Sequence, residues 1–164
     1  MLVSGTTGIT INAAATDRIV LQGLDIEGLG TGIHGVNMIA GGTLYVIRCS
    51  IRHFTGNGVN LASSTANARA IIKDSFILFN AGGVNVAGNG VANVGSVINT
   101  LIDGNTSFAV QASGASNVVG VANSVLTGSP TGISLLATAS AVSFGPSNIV
   151  SGAGAFTGAP IAFK

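Results

Sequence analysis

"GLDIEGLG" at residues 23–30 is followed by "RCSIRHFT" at 48–55, "KDSFILFN" at 73–80 and "NTLIDGNT" at 99–106. Each phrase reads as a short strand around an apolar anchor while its polar letters change. The anchors are Ile26, Ile51, Phe76, Leu101, Val125 and Ile149, at steps of 25, 25, 25, 24 and 24. Seven residues upstream a second column keeps the same steps: Ile19, Leu44, Arg69, Val94, Val118 and Val142, with Arg69 its one polar member. A third opens the strand after each turn: Val36, Val59, Val84, Ala109 and Ile133. Each repeat therefore carries about three short strands.

One such repeat cannot bury its apolar side alone, but a stack of them forms a continuous core. A leucine-rich repeat of similar period would need a Leu-x-x-Leu-x-Leu frame and a helical segment, and neither is present. Helix formers are scarce and β-branched residues fill the apolar packets. The expected fold is all-β: a single-stranded right-handed parallel β-helix, or β-solenoid, of about six rungs of 24–25 residues. Right-handed coiling follows from the general hand of parallel crossovers, and residues 1–164 are expected to form one domain.

The composition fits this reading. Of 164 residues 47% are hydrophobic, only 7% are charged and 25 are glycine. No apolar run approaches the roughly 18 residues of a spanning helix, because Gly, Asn, Ser or Thr interrupts every packet. A net charge of +1 leaves no basic footprint for nucleic acid or an anionic membrane. The single cysteine, Cys49, excludes an internal disulfide and a cysteine-based zinc site.

Two residues before each anchor stand Leu24, Cys49, Asp74, Asn99, Asn123 and Ser147. In a stacked coil such a file lies at a turn, where side chains bond the next rung and satisfy groups the bend would otherwise orphan. Cys49 is expected there as a buried thiol, and Asp74 as a partner of Asn99. The adjoining file Ser50, Ser75, Thr100, Ser124 and Asn148 is expected to face outward. "GTGIHG" at 30–35 matches a dinucleotide-binding glycine pattern, but "VNMIAGG" after it reads as strand and turn where that chemistry needs a helix. Asn105 begins a glycosylation triplet and is better read as part of a turn stack.

The phrases "GITI" (8–11), "GVNL" (58–61), "GVNV" (83–86) and "GISL" (132–135), with "DSFILFNAGG" (74–83) and "NTLIDGN" (99–105), resemble the right-handed parallel β-helix repeats of the pectin-lyase-like superfamily. Residues 2–37 resemble the middle of small exported bacterial β-helix proteins. The resemblance implies a secreted, periplasmic or cell-surface setting, and a leader and opening cap ahead of residue 1.

All charges except Asp103 and Lys164 precede residue 75. Strand alternation places Asp25 and Glu27 on the face opposite Ile26, with Ser50 and Arg52 one rung along. Arg48 is expected to stack with Lys73. Superfamily enzymes that cleave acidic polysaccharide by β-elimination carry acidic calcium ligands and a basic proton acceptor on an outer face. The metal stabilises an enolate-like intermediate while the base removes the α-proton. By that resemblance Asp25 and Glu27 would hold calcium and Arg48 or Arg52 would be the base. Calcium seeks about six oxygens or more, which two carboxylates supply thinly, and the plainer reading is a surface ion-pair cluster. His34 and His53, the only imidazoles, read as turn histidines.

Residues 104–163 carry no charge, so their outward positions suit packing against another copy or hydrogen-bonding a neutral sugar. Tyr45 is the aromatic expected to face outward. The expectation is a non-catalytic structural or interaction module of the cell exterior, associated with polysaccharide or with itself. It needs no cofactor. The alternative is a calcium-assisted polysaccharide lyase.

Overall fold

The computed structural model describes residues 1–161; Lys164 lies outside them. The first coil is β1 (Ile9–Asn12), β2 (Arg18–Gln22) and β3 (Asp25–Glu27); the second is β4 (Val36–Ala40), β5 (Thr43–Ile47) and β6 (Ser50–Arg52). The third is β7 (Asn57–Leu61), β8 (Arg69–Lys73) and β9 (Phe76–Leu78), and the fourth β10 (Gly82–Ala87), β11 (Val94–Ile98) and β12 (Leu101–Asp103). The fifth is β13 (Phe108–Ser113), β14 (Val118–Ala122) and β15 (Val125–Thr127), and the sixth β16 (Thr131–Leu136), β17 (Ser140–Phe144) and β18 (Ile149–Val150).

Equivalent strands of successive coils pair in parallel. The first sheet runs β1-β4-β7-β10-β13-β16, the second β2-β5-β8-β11-β14-β17 and the third β3-β6-β9-β12-β15-β18. The chain is thus an all-β parallel solenoid of six turns with three sheets, and no helix occurs among the described residues. A strand, β4, follows "GTGIHG", as the dinucleotide argument requires for a chance match.

The core is a set of single-residue files. In the third sheet Ile26, Ile51, Ile77, Ile102 and Leu126 pair in sequence and are fully buried. This corrects the expected anchor file from the third coil onward. Phe76, Leu101, Val125 and Ile149 are in register with Ser50 and Asp25 on the outer side, and Phe76 is 51% exposed. The step from the second to the third coil is 26 residues, Ile51 to Ile77, not 25. Side chains alternate with period two, so one extra residue turns a strand over.

The second column shares this slip, and the first sheet has a separate one between Val84 and Val110. In the second sheet Leu44 is followed inward by Ala70, Gly95, Val119 and Ala141, so Arg69, Val94, Val118 and Val142 belong to the outer side. Arg69 was therefore no exception within an apolar file. In the first sheet Val110, not Ala109, continues Val59 and Val84 toward Ile133.

Buried polar side chains close the corners. Asn80 Oδ1 accepts the Phe54 N–H and Asn105 Oδ1 the Asn80 N–H; Asn93 and Asn117 repeat this for Ala68 and Asn93. Asn105 is a turn-stack residue with no exposed surface. On the outer face of the first sheet Asn85 donates to Asn60 and Asn60 to Asn37, whereas Gln111 points the other way, to Ser134. The run of amides changes direction there, which leaves the buried Asn85 Oδ1 without a donor.

Candidate functional site

The corner between the second and third sheets keeps one length. In the first five coils it is two residues: Gly23-Leu24, Arg48-Cys49, Asp74-Ser75, Asn99-Thr100 and Asn123-Ser124. The first residue of each pair has positive φ, from 47° to 67°, a conformation Gly, Asn and Asp accept more readily than other residues. The second turns inward. Ser75 Oγ accepts the Cys49 N–H at 3.1 Å, Ser124 Oγ the Thr100 N–H at 3.2 Å and Asn148 Oδ1 the Ser124 N–H at 2.9 Å.

Ser75, Thr100 and Ser124 are consequently buried, at 1–2% exposure. The expectation that they face outward is corrected, again by one position from the third coil on. Cys49 is the buried free thiol expected, and its Sγ–H points at the Leu21 and Ile47 carbonyls. Arg48 aligns with Asp74, one residue from the expected Lys73: its N–H bonds the Lys73 carbonyl, while Lys73 itself pairs with Ile47.

A groove follows this corner along the stack. One wall is the positive-φ file Asp74, Asn99 and Asn123, the other the outward file Phe76, Leu101 and Val125, and Ser75 and Thr100 form the floor. Asn99 Nδ2 donates to Asp74 Oδ1 at 2.7 Å, so the polar wall is partly ordered by its own members, and Asp74 has the partner expected for it. Past Phe76 and Asp74 the groove continues into the first two coils, where Asp25, Arg48, Ser50 and Arg52 line it. It is charged at one end and neutral at the other.

At the charged end three of the four residues singled out for chemistry form one network. Asp25 and Glu27 face outward beside Ser50 and Arg52, in the register expected. Arg52 Nη1 lies 2.5 Å from Asp25 Oδ1, and its Nε 2.8 Å from Glu27 Oε2. Glu27 also meets His53 Nδ1 at 2.9 Å and accepts the Leu29 N–H. His53 stacks on Phe79, centroids 5.6 Å apart. Arg48 stands apart on the groove wall, in no ion pair among the described residues.

The electrostatics follow from these contacts. The hydrogen bond from Arg52 holds the Asp25 carboxyl below its ordinary range, against some desolvation and with help from the Arg52 and N-terminal charges. For Glu27 burial is the largest single influence and pushes upward, but bonds from His53 and the Leu29 N–H with the nearby positive charges outweigh it, and the net direction is down. Arg52 is raised by its bond to Asp25. Both carboxylates are ionised and already engaged, so a cation would have to share or displace the guanidinium. Among the described residues no three His, Cys, Asp or Glu side chains converge as a metal would need.

His34 lies in the connection 28–35 that leads into β4. Its Nδ1 accepts the Asn57 N–H at 2.9 Å, and burial holds it below the ordinary imidazole value. Tyr45 faces outward as expected, half-buried between Val20 and Ile71. Phe76, Phe79 and Phe144 are exposed as well, so aromatic surface is more plentiful than the sequence suggested.

The apolar wall Phe76–Leu101–Val125 was missed at the sequence level, whereas Asp74, Asn99 and Asn123 opposite it were expected at a turn. A signal existed in the doubled apolar letters Phe76-Ile77, Leu101-Ile102 and Val125-Leu126: one member of each must leave the core. Compared with protein-family models, curated proteins and solved structures, the chain matches none.

Proposed function

We propose that this solenoid is a non-catalytic interaction module whose corner groove holds a saccharide chain along the axis of the stack. The observation that carries this reading is the pairing of two unlike walls in step, apolar Phe76–Leu101–Val125 against Asp74–Asn99–Asn123. A pyranose ring has apolar C–H faces and a rim of hydroxyls that donate and accept, so it suits a site with one wall of each kind. Rungs repeat about every 4.8 Å, close to the rise of one β-1,4-linked sugar, so rings would lie one to a rung, alternate rings turning opposite faces to the apolar wall. The exported setting implied by the pectin-lyase-like resemblance agrees with such a partner.

The test is calorimetric titration with soluble β-linked oligosaccharides, neutral and uronic. Phe76→Ala and Asn99→Ala should each weaken binding about tenfold, the scale of one lost contact or hydrogen bond, while Ser96→Ala on the second sheet's outer face changes little. Absence of binding by every oligosaccharide overturns the proposal. The alternative, a calcium-assisted lyase, would use Asp25, Glu27 and Arg48 or Arg52 at the groove's charged end. It predicts a calcium-dependent rise in ultraviolet absorbance on polyuronate that Glu27→Ala abolishes; that result would replace the binding-only reading.

A further inference from the structure

Asn-Gly occurs twice, at Asn57-Gly58 and Asn89-Gly90, in opposite settings. This dipeptide is chemically labile because the glycine nitrogen, unhindered by a Cβ, can reach the preceding carboxamide. Attack requires a backbone N–H free of other bonds, a side chain free to swing and a backbone able to rotate.

Asn57 lacks the freedom of side chain and backbone that the attack needs. It lies in β7, its N–H donates to His34 Nδ1, and its Nδ2 donates to Asn60 Oδ1 at 3.1 Å. Gly58 is buried, with the Ile77 side chain against the place a Cβ would take.

Asn89 sits at the tip of the loop 88–93 between β10 and β11, and both Asn89 and Gly90 are exposed. Gly90 has φ of 75° with open space around its Cα, and its N–H donates to no carbonyl among the described residues. The feet of the loop are clamped: Asn93 Nδ2 donates to the Ala87 and Ser63 carbonyls, and Ala92 N–H to Asn67 Oδ1. The exposed tip lies between fixed ends, with open space at Gly90, so a change of shape there would leave the coil undisturbed.

We infer that Asn89 is a site of spontaneous deamidation in the folded protein and that Asn57 is protected from it by the fold. The Gly90 nitrogen, losing its proton to solvent base, forms a bond to Asn89 Cγ; the Cγ–Nδ2 bond breaks and ammonia leaves, closing a succinimide. Water opens the ring at either carbonyl, giving aspartate or isoaspartate at position 89. The net change is amide plus water to acid plus ammonia. It places a carboxylate in the stretch between Asp74 and Asp103, which the chain otherwise keeps free of charge.

The experiment incubates the folded chain, and a urea-unfolded sample, at mildly alkaline pH. Peptide mapping follows the amide-to-acid mass gain at each Asn-Gly, and isoaspartyl methyltransferase labelling reports the rearranged product. Unfolded chain should convert both sites at similar rates, whereas the folded chain should convert Asn89 faster than Asn57 by about tenfold or more, since Asn57 must wait for local opening. Asn89→Gln should remove the folded-state product. Equal rates in the folded chain, faster conversion of Asn57, or an intact Asn89 over the time in which the unfolded chain converts would each overturn the inference.

Discussion

Phe76 and Ile77 are chain neighbours on opposite sides of the third sheet, and their energetic roles differ accordingly. Ile77 is fully buried between Ile51 and Ile102; truncating such a side chain removes its transfer energy and leaves a cavity. Ile77→Ala should cost about 2–5 kcal/mol, and Phe76→Ala, half in water already, about 0.5 kcal/mol or less. Urea unfolding of the two variants checks this; equal losses would mean the register is misassigned. The same pair explains what was legible. Asp25-Ile26-Glu27 and Ser50-Ile51-Arg52 show their inward residue plainly, because polar letters flank it. Phe76-Ile77, Leu101-Ile102 and Val125-Leu126 do not, for either member could point inward, and a constant period of 25 selects the wrong one.

At the scale of the element, stability resides in corners whose buried side chains take the place of missing ladder bonds. Asn105 accepts the Asn80 N–H at 3.0 Å and donates to the Ile77 carbonyl at 3.4 Å; without it the buried Asn80 N–H loses its acceptor. Asn105→Ala should therefore lower stability by about 2 kcal/mol. Asn123→Gly should change it by only about 0.5 kcal/mol, because its side chain is exposed and glycine tolerates its φ of 47°. Thermal melts distinguish the two, and a larger loss at Asn123 would contradict the inward assignment of Ser124. That a polar file stacks at this corner was readable from spacing. Which member of Asp74-Ser75 or Asn99-Thr100 enters the core was not, since either can cap a turn.

For the whole molecule, the concentration of charge in the first three coils sets the response to acid. His34 is neutral when its Nδ1 accepts the Asn57 N–H, and its pKa is lowered on folding. The unfolded chain therefore binds a proton first, and stability complete above about pH 6.5 declines as pH falls toward the folded value. Asp25 and Glu27 are also lowered; their contribution is present above about pH 4 and lost as pH falls further. Urea midpoints should thus fall from pH 7.5 to 5.5 and again toward pH 3. His34→Gln should flatten the first step and Glu27→Gln diminish the second, and a midpoint that rises on acidification would refute the assignment. The surface cluster was legible because Asp25, Glu27 and Arg52 lie one coil apart in strands whose alternation is unambiguous. The role of His34 was not, as it depends on a contact with Asn57 across 23 residues.

The three corners of each coil differ in how far they vary. Between the first and second sheets the connection ranges from two residues, 41–42, to seven, 62–68, and between the third and the next first-sheet strand from three, 79–81, to eight, 28–35. The second-to-third corner keeps two residues through five coils. Foreign peptide spliced into the loose corners would hang outside the rod and leave the pile undisturbed. One amino acid added at the tight corner would turn that strand inside out, exchanging what solvent meets for what the interior holds.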